Sequence, residues 1–194
     1  MMDNATGGLA NGSWTAATAT VYYSAVAADG TLGAWSTTTA LPQALFAQGA
    51  VVVRGRIYVA GGNGSDGNPV KTVYSAQLKS DGTLGAWSTL ASLPAVRAYH
   101  SFVSVAGYLY VLGGTDSAAD PTSNVESSSL KTVYNAQINI AGGNVTIASE
   151  GSYNPYNHSN AFFADSAGKP HVIILGGSDV GSGAPKNGVF VCTQ

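Results

Sequence analysis

The chain has 194 residues, enough to bury a sizeable core within one domain. Charged residues are only 9% of it and the formal net charge is -2, which excludes a basic stripe for nucleic-acid phosphates and a polybasic patch for an anionic membrane. No apolar run approaches the ~20 residues of a spanning helix, Met1-Met2-Asp3-Asn4 lacks the basic and apolar regions of a signal peptide, and a lone cysteine, Cys192, excludes an internal disulfide.

From the amino terminus, Gly7-Gly8 precedes a strand at Thr20-Val21-Tyr22, an Asp29-Gly30 turn and a strand around Ala34-Trp35-Ser36, closed by Leu41-Pro42. The second unit repeats this order: a hairpin ending at Gly61-Gly62, then Thr72-Val73-Tyr74, Ala86-Trp87-Ser88 and Leu93-Pro94. Its segment Asp81 to Thr89 is letter for letter Asp29 to Thr37, 52 residues further on. In the third unit Ser101 to Val105 alternates, Ala106-Gly107 turns, and Tyr108 to Leu112 is aromatic and aliphatic up to Gly113-Gly114. Thr132 to Ile138 supplies its third strand. Gly143 to Ala148 then replaces Gly-Thr-Leu-Gly-Ala-Trp at equal length, so Ala148 stands where a tryptophan is expected and the unit should be looser there. The fourth unit begins near Tyr156, carries a hairpin through His171 to Leu175 and Gly176-Gly177, and reaches a third strand at Val189 to Cys192. No 3.6-residue apolar period persists over ten residues, so helices are not expected.

Four short antiparallel strands in each unit of about 50 residues cannot bury both faces of a small sheet alone, and stacking such sheets makes a β-propeller. The hairpin ending in Gly-Gly, the tyrosine strand, the tryptophan beyond a turn and the closing Leu-Pro resemble the kelch repeat, as does Arg97-Ala98-Tyr99-His100 leading into an inner strand. The resemblance implies an all-β fold of kelch-type blades, four-stranded antiparallel sheets, with the ring incomplete within one chain. It implies one array over 1–194, divided as 1–42 (partial blade), 43–94, 95–155 and 156–194 (partial blade). About three and a quarter blades do not close a ring of four to eight. The chain is then a segment of a longer propeller, a half completed by a second copy, or a unit of a head-to-tail filament.

Glycine at the Gly-Gly pairs allows close backbone approach and positive φ; without a helix or a Gly-Lys-Ser ending they do not cradle phosphate. Trp35 and Trp87 are expected between adjacent blades with their indole N–H groups on backbone acceptors, and Tyr58, Tyr74, Tyr110 and Tyr134 in the core.

In kelch-like propellers the ligand face resembles a rim of two loop sets. Here these are 63–71, 115–131 and 178–187 after the Gly-Gly pairs, and 43–48, 95–100 and 156–159 leading into the inner strands. The long loop with Asp116, Asp120, Asn124 and Glu126 is the expected specificity element. The expected ligand-binding residues are Asn63, Asp66, Arg97, Tyr99, His100, Asp116, His158 and Asp179. His100 and His158 occupy equivalent positions and with Asp116 or Asp179 would resemble a metal set, but strand capping is the plainer role. Ser65-Asp66-Gly67-Asn68 lacks the spacing of a calcium loop. No Gly-x-Ser-x-Gly elbow exists, and Cys192 is out of place for the Tyr-Cys pair of a kelch-type copper oxidase. No catalytic residue, metal or cofactor is therefore expected.

Five tripeptides fit the N-glycosylation pattern, at Asn4, Asn11, Asn63, Asn144 and Asn157. With the low charge they point to an extracellular or cell-surface module. The expected function is a binding or scaffold module for a carbohydrate or protein ligand. Self-association through open blade edges is the alternative, and a sugar-modifying enzyme of the kelch type ranks third.

Overall fold

The computed structural model describes side chains across 6–9, 16–104 and 108–116, and the backbone alone of 2–5, 105 and of strands within 132–138, 145–152, 159–164, 170–175 and 189–193. These residues are all β. Four antiparallel sheets follow one another in chain order, each with its strands side by side in sequence order. Blade 1 contains β1 (Met2–Thr6), β2 (Val21–Ala25) and β3 (Ser36–Thr38). Blade 2 contains β4 (Gly49–Val53), β5 (Arg56–Ala60), β6 (Val73–Leu78) and β7 (Leu84–Thr89). Blade 3 contains β8 (Ser101–Val105), β9 (Tyr108–Leu112), β10 (Thr132–Ile138) and β11 (Val145–Ser152), and blade 4 contains β12 (Ser159–Ala164), β13 (Pro170–Leu175) and β14 (Val189–Thr193).

Blade 2 shows why this sequence makes a stackable sheet. Arg54 and Gly55 both take positive φ, 49° and 71°, as a two-residue hairpin turn between right-twisted strands requires. The β5 strand is apolar on both faces. Its Tyr58 and Ala60 join Phe102, Leu109 and Val111 of blade 3 in one core cluster, while Ile57 and Val59 join Val21, Leu41 and Leu45 in the cluster towards blade 1. Side chains alternate between faces along a strand, so one strand fills two interblade cores. At ~25 cal/mol per Å² of apolar area, it is this stacking that stabilises sheets too small to stand alone.

The repeated nonapeptide is a turn followed by an outer strand. The Asp81 carboxylate accepts hydrogen bonds from the Thr83 N–H (2.9 Å) and hydroxyl (2.6 Å), and Asp29 does the same with Thr31 (3.0 and 2.7 Å). Those side-chain and backbone bonds from the threonine hold both carboxyls below their ordinary range. Beyond the turn the two copies part. The Trp87 indole N–H donates across the blade boundary to the Thr39 carbonyl at 3.0 Å, beside bonds from the Leu84 N–H to the Thr38 hydroxyl and from the Thr39 hydroxyl to the Leu84 carbonyl, both 2.8 Å. Trp35 is instead 47% exposed, because no described residue covers that side of blade 1; the expectation of an interblade Trp35 is corrected. Trp87→Ala should lower the unfolding free energy by about 2 kcal/mol in urea titration, whereas Trp35→Ala should change it by less than about 0.5.

Two further differences from the sequence reading concern register. Blade 1 has a strand ahead of Gly7-Gly8: β1 pairs with β2 from Met2↔Ala25 to Thr6↔Val21. Its residues, Met-Asp-Asn-Ala-Thr, carry no apolar alternation, so pattern alone misses it. In blade 3, Ala148 is not the counterpart of Trp87. Trp87 pairs with Ala76, and the matching Ala136 pairs with Ile147. The equal-length alignment fails because blade 2 has a register shift between Ala76 and Leu78, whereas the β10–β11 ladder runs unbroken from Val133 to Ile138.

Candidate functional site

The two loop sets meet at one end of the blades. The loop leading into β4 pairs Phe46 with Asn63 of its own blade, through N–H to carbonyl bonds of 3.0 and 2.7 Å, and the loop leading into β8 pairs Ala98 with Thr115 at 3.0 and 2.9 Å. One residue earlier, the carbonyls of Leu45 and Arg97 accept from the second glycine of the preceding blade, Gly8 at 2.8 Å and Gly62 at 2.7 Å. Each lead-in loop is thus bonded to its own Gly-Gly segment and to the one before it. It forms a wedge in the seam.

Glycine is required at this wedge by contact as well as conformation. Gly61 has φ 57°, and a Cβ there would fall on the Arg97 carbonyl oxygen; at Gly114, φ 91°, a Cβ would lie 2.5 Å from the Ala98 carbonyl. The side chain entering each inner strand fills the remaining gap. Gln48 lies against Gly62 and donates to the Thr6 carbonyl beside Gly7, and His100 lies against Gly61 and Gly114. His100 also meets Phe102 edge-on, with ring centres 6.4 Å apart.

Arg97 and Asn63 require correction as rim residues. Both are wholly buried. The Arg97 guanidinium donates from Nη1 to the Gly113 carbonyl at 2.7 Å, and its Cδ lies close to Gly114. It serves the seam. Asn63 is fixed by its backbone pairing, its amide is sealed, and neither Nδ2 nor Oδ1 meets a hydrogen-bond partner among the described residues. A glycan on Asn63 is incompatible with that burial, so this glycosylation candidate is also corrected. Thr115 occupies the equivalent place in blade 3. Asn63→Thr should therefore raise the unfolding free energy by about 1 kcal/mol in thermal or urea melts, since an unsatisfied buried polar group costs about 1–3 kcal/mol.

Other expected site residues lie nearer the surface. Asp66 is exposed and its carboxylate accepts from the Asn68 N–H (3.1 Å) and Nδ2 (2.8 Å), which holds it below the ordinary aspartate range, the side-chain bond contributing most. Asp116 is exposed, and Tyr99 and His100 are half-buried. Burial raises the Tyr99 phenol, whose hydroxyl is sealed without a partner among the described residues. His158 and Asp179 fall outside the described residues, as do most of loop 115–131, loop 178–187, and the candidates Asn11, Asn144 and Asn157. Asn4 lies in β1, opposite Tyr23.

One feature of this end escapes residue-type reasoning. Ala47 and Tyr99, equivalent at the 52-residue offset, both take positive φ, 53° and 54°, and the Tyr99 N–H donates to the Ala47 carbonyl at 3.0 Å. A left-handed conformation costs a non-glycine residue about 1–2 kcal/mol. Neither residue is a glycine or asparagine, so no sequence signal marks it.

Among the described residues no three His, Cys, Asp or Glu side chains gather as metal ligands, and no helix is long and apolar enough to cross a membrane.

Antiparallel sheets with strands in chain order, stacked face to face through apolar cores, are the blades of a β-propeller. Residues 97–134, from Arg97 through the first two strands of blade 3 and into the third as far as Tyr134, match the Kelch motif. That motif marks a binding or scaffold module of the β-propeller class. No curated protein matches the chain.

Proposed function

We propose that the lead-in loops and Gly-Gly loops form a ligand rim, and that the chain is a binding module for a protein or carbohydrate ligand outside the cell. The observation carrying this reading is the strained position shared by Ala47 and Tyr99. The backbone is held in the same unfavourable conformation in successive blades while the side chain changes from methyl to phenol, as befits a fixed scaffold carrying a variable contact. Asp66 and Asp116 are exposed on the adjoining Gly-Gly loops and would accept hydrogen bonds from ligand hydroxyls or amides. The low content of charged residues supports an extracellular setting.

The test is a screen against immobilised oligosaccharides and a displayed peptide library, read with the wild type, Tyr99→Gly and Asp116→Ala. Tyr99→Gly relieves the backbone while removing the contact, so it should hold or raise the melting temperature and weaken binding at least tenfold. A ligand bound equally by all three proteins would refute the rim.

A second reading, self-association, rests on Tyr22, Leu32 and Trp35, all exposed on blade 1, whereas their counterparts Tyr74 and Leu84 are buried and Trp87 is half-buried in blade 2. Light scattering over a concentration series should then show a mass that falls to the monomer in Trp35→Asp; a monomer at every concentration removes this reading.

A further inference from the structure

The Gly-Gly end of blade 2 contains a chemically labile pair. Asn63 is followed by Gly64, and asparagine before glycine is especially open to deamidation, because a residue without a side chain lets its amide nitrogen reach the neighbouring carboxamide. In that reaction the Gly64 nitrogen gives up its proton and bonds to the Asn63 Cγ, the bond from Cγ to Nδ2 breaks, and ammonia leaves. Water then opens the cyclic imide to aspartate or isoaspartate. No reagent beyond water is consumed.

The fold holds both reacting groups apart from this chemistry. Asn63 is wholly buried and pinned through its main chain, its N–H donating to the Phe46 carbonyl at 2.7 Å and its carbonyl accepting from the Phe46 N–H at 3.0 Å. Gly64 is buried too, and its N–H, which carries the attacking nitrogen, donates to the Asn68 carbonyl at 2.9 Å. The turn above keeps that acceptor in place. Gly67 N–H donates to the Gly64 carbonyl at 2.9 Å, and the Asp66 carboxylate accepts from the Asn68 N–H and Nδ2 at 3.1 and 2.8 Å. Ring closure therefore requires the turn over 64–68 to open.

The product does not suit the place in which it forms. The Asn63 amide is sealed from solvent with no hydrogen-bond partner among the described residues, a setting that tolerates a neutral amide far better than a carboxylate. Isoaspartate also lengthens the main chain by one carbon, between the bonds of residue 63 to Phe46 and that of Gly64 to Asn68. In blade 3 the equivalent place is filled by Thr115, which lacks this chemistry.

We propose that Asn63-Gly64 is a deamidation site guarded by the 64–68 turn, and that its conversion unfastens the lead-in loop of blade 2 from its Gly-Gly segment. Asp66 is a positioning residue here, acting through Asn68 on the Gly64 amide. Water does not restore the lost amide, so conversion is a one-way record of how often this end of the blade opens.

The test incubates the purified chain, folded and in urea, in mildly alkaline buffer. Mass spectrometry of the tryptic peptide 57–71, bounded by Arg56 and Lys71, reads conversion at Asn63. The folded chain should convert at least tenfold more slowly than the unfolded one, and folded Asp66→Ala at least threefold faster than folded wild type. Asn63→Asp should speed hydrogen exchange at the amides of residues 63 and 64 at least tenfold, with Val59 and Ala60 still protected. Should Asn63→Asp not fold, the converted fraction of aged wild-type protein, resolved by mass, gives the same reading. Equal rates in folded and unfolded chains, or in Asp66→Ala and wild type, overturn the guard. Unchanged exchange after conversion overturns the release.

Discussion

Arg97→Ala is expected to lower the unfolding free energy by about 3–5 kcal/mol, among the largest effects of any single substitution in this chain. Arg97 is wholly buried, and its guanidinium holds the Gly113 carbonyl at 2.7 Å while its own backbone carbonyl accepts from Gly62 of the preceding blade. Truncation leaves a cavity against Gly114 and deprives a buried acceptor of a charged donor, and the two losses add. Arg97→Leu is the informative companion. Leu45 holds the equivalent position in blade 2, wholly buried in the core there, so leucine should recover about half of the loss by refilling volume without restoring the bond. Urea unfolding of both variants checks this, and a loss below about 1 kcal/mol for Arg97→Ala would show that the seam is not held by this side chain.

Gly61→Ala should cost about as much, 3–5 kcal/mol, for a different reason. Positive φ alone disfavours alanine by about 1 kcal/mol. The remainder is steric, because the new methyl group would meet the Arg97 backbone carbonyl, which is fixed by its own bond to Gly62 and cannot swing aside as a side chain could. Gly67 supplies the control. It has φ 77° with nothing near the position of a Cβ, so Gly67→Ala should show only the conformational cost of about 1 kcal/mol. Equal losses at the two glycines would mean that conformation, not the wedge, dictates glycine at position 61.

Much of the fold was legible because the repeat does not depend on judging any residue singly. The strands at 101–105, 108–112 and 132–138 follow from alternation, aromatic content and the turn residues between them. What escaped is what pattern cannot carry. The β1 strand has a polar sequence and is specified by its ladder with β2, a tertiary pairing. The counterpart of Trp87 in blade 3 is set by a register shift, which equal spacing conceals. At the site, residue type pointed the wrong way for Arg97 and Asn63: charge and amide suggest solvent, yet the Gly-Gly segments make a pocket in which a buried guanidinium can satisfy a carbonyl. The 52-residue offset already aligned Arg97 with Leu45 and Tyr99 with Ala47. An apolar residue opposite Arg97 was the available sign that the position faces inward.

The blade arrangement implies that successive blades are locked by backbone bonds at their Gly-Gly ends, and the proposed rim is built upon that lock. Native-state hydrogen exchange at the amides of Gly62, Asn63, Ala98 and Thr115 tests it most directly, since each donates to a carbonyl of a lead-in loop or its partner segment at 2.7–3.0 Å. Their protection should match that of Val59 and Ala60 within β5. Exchange at these four amides as fast as in the exposed turn at Ser65-Asp66, with β5 still protected, would contradict the lock and the rim built upon it.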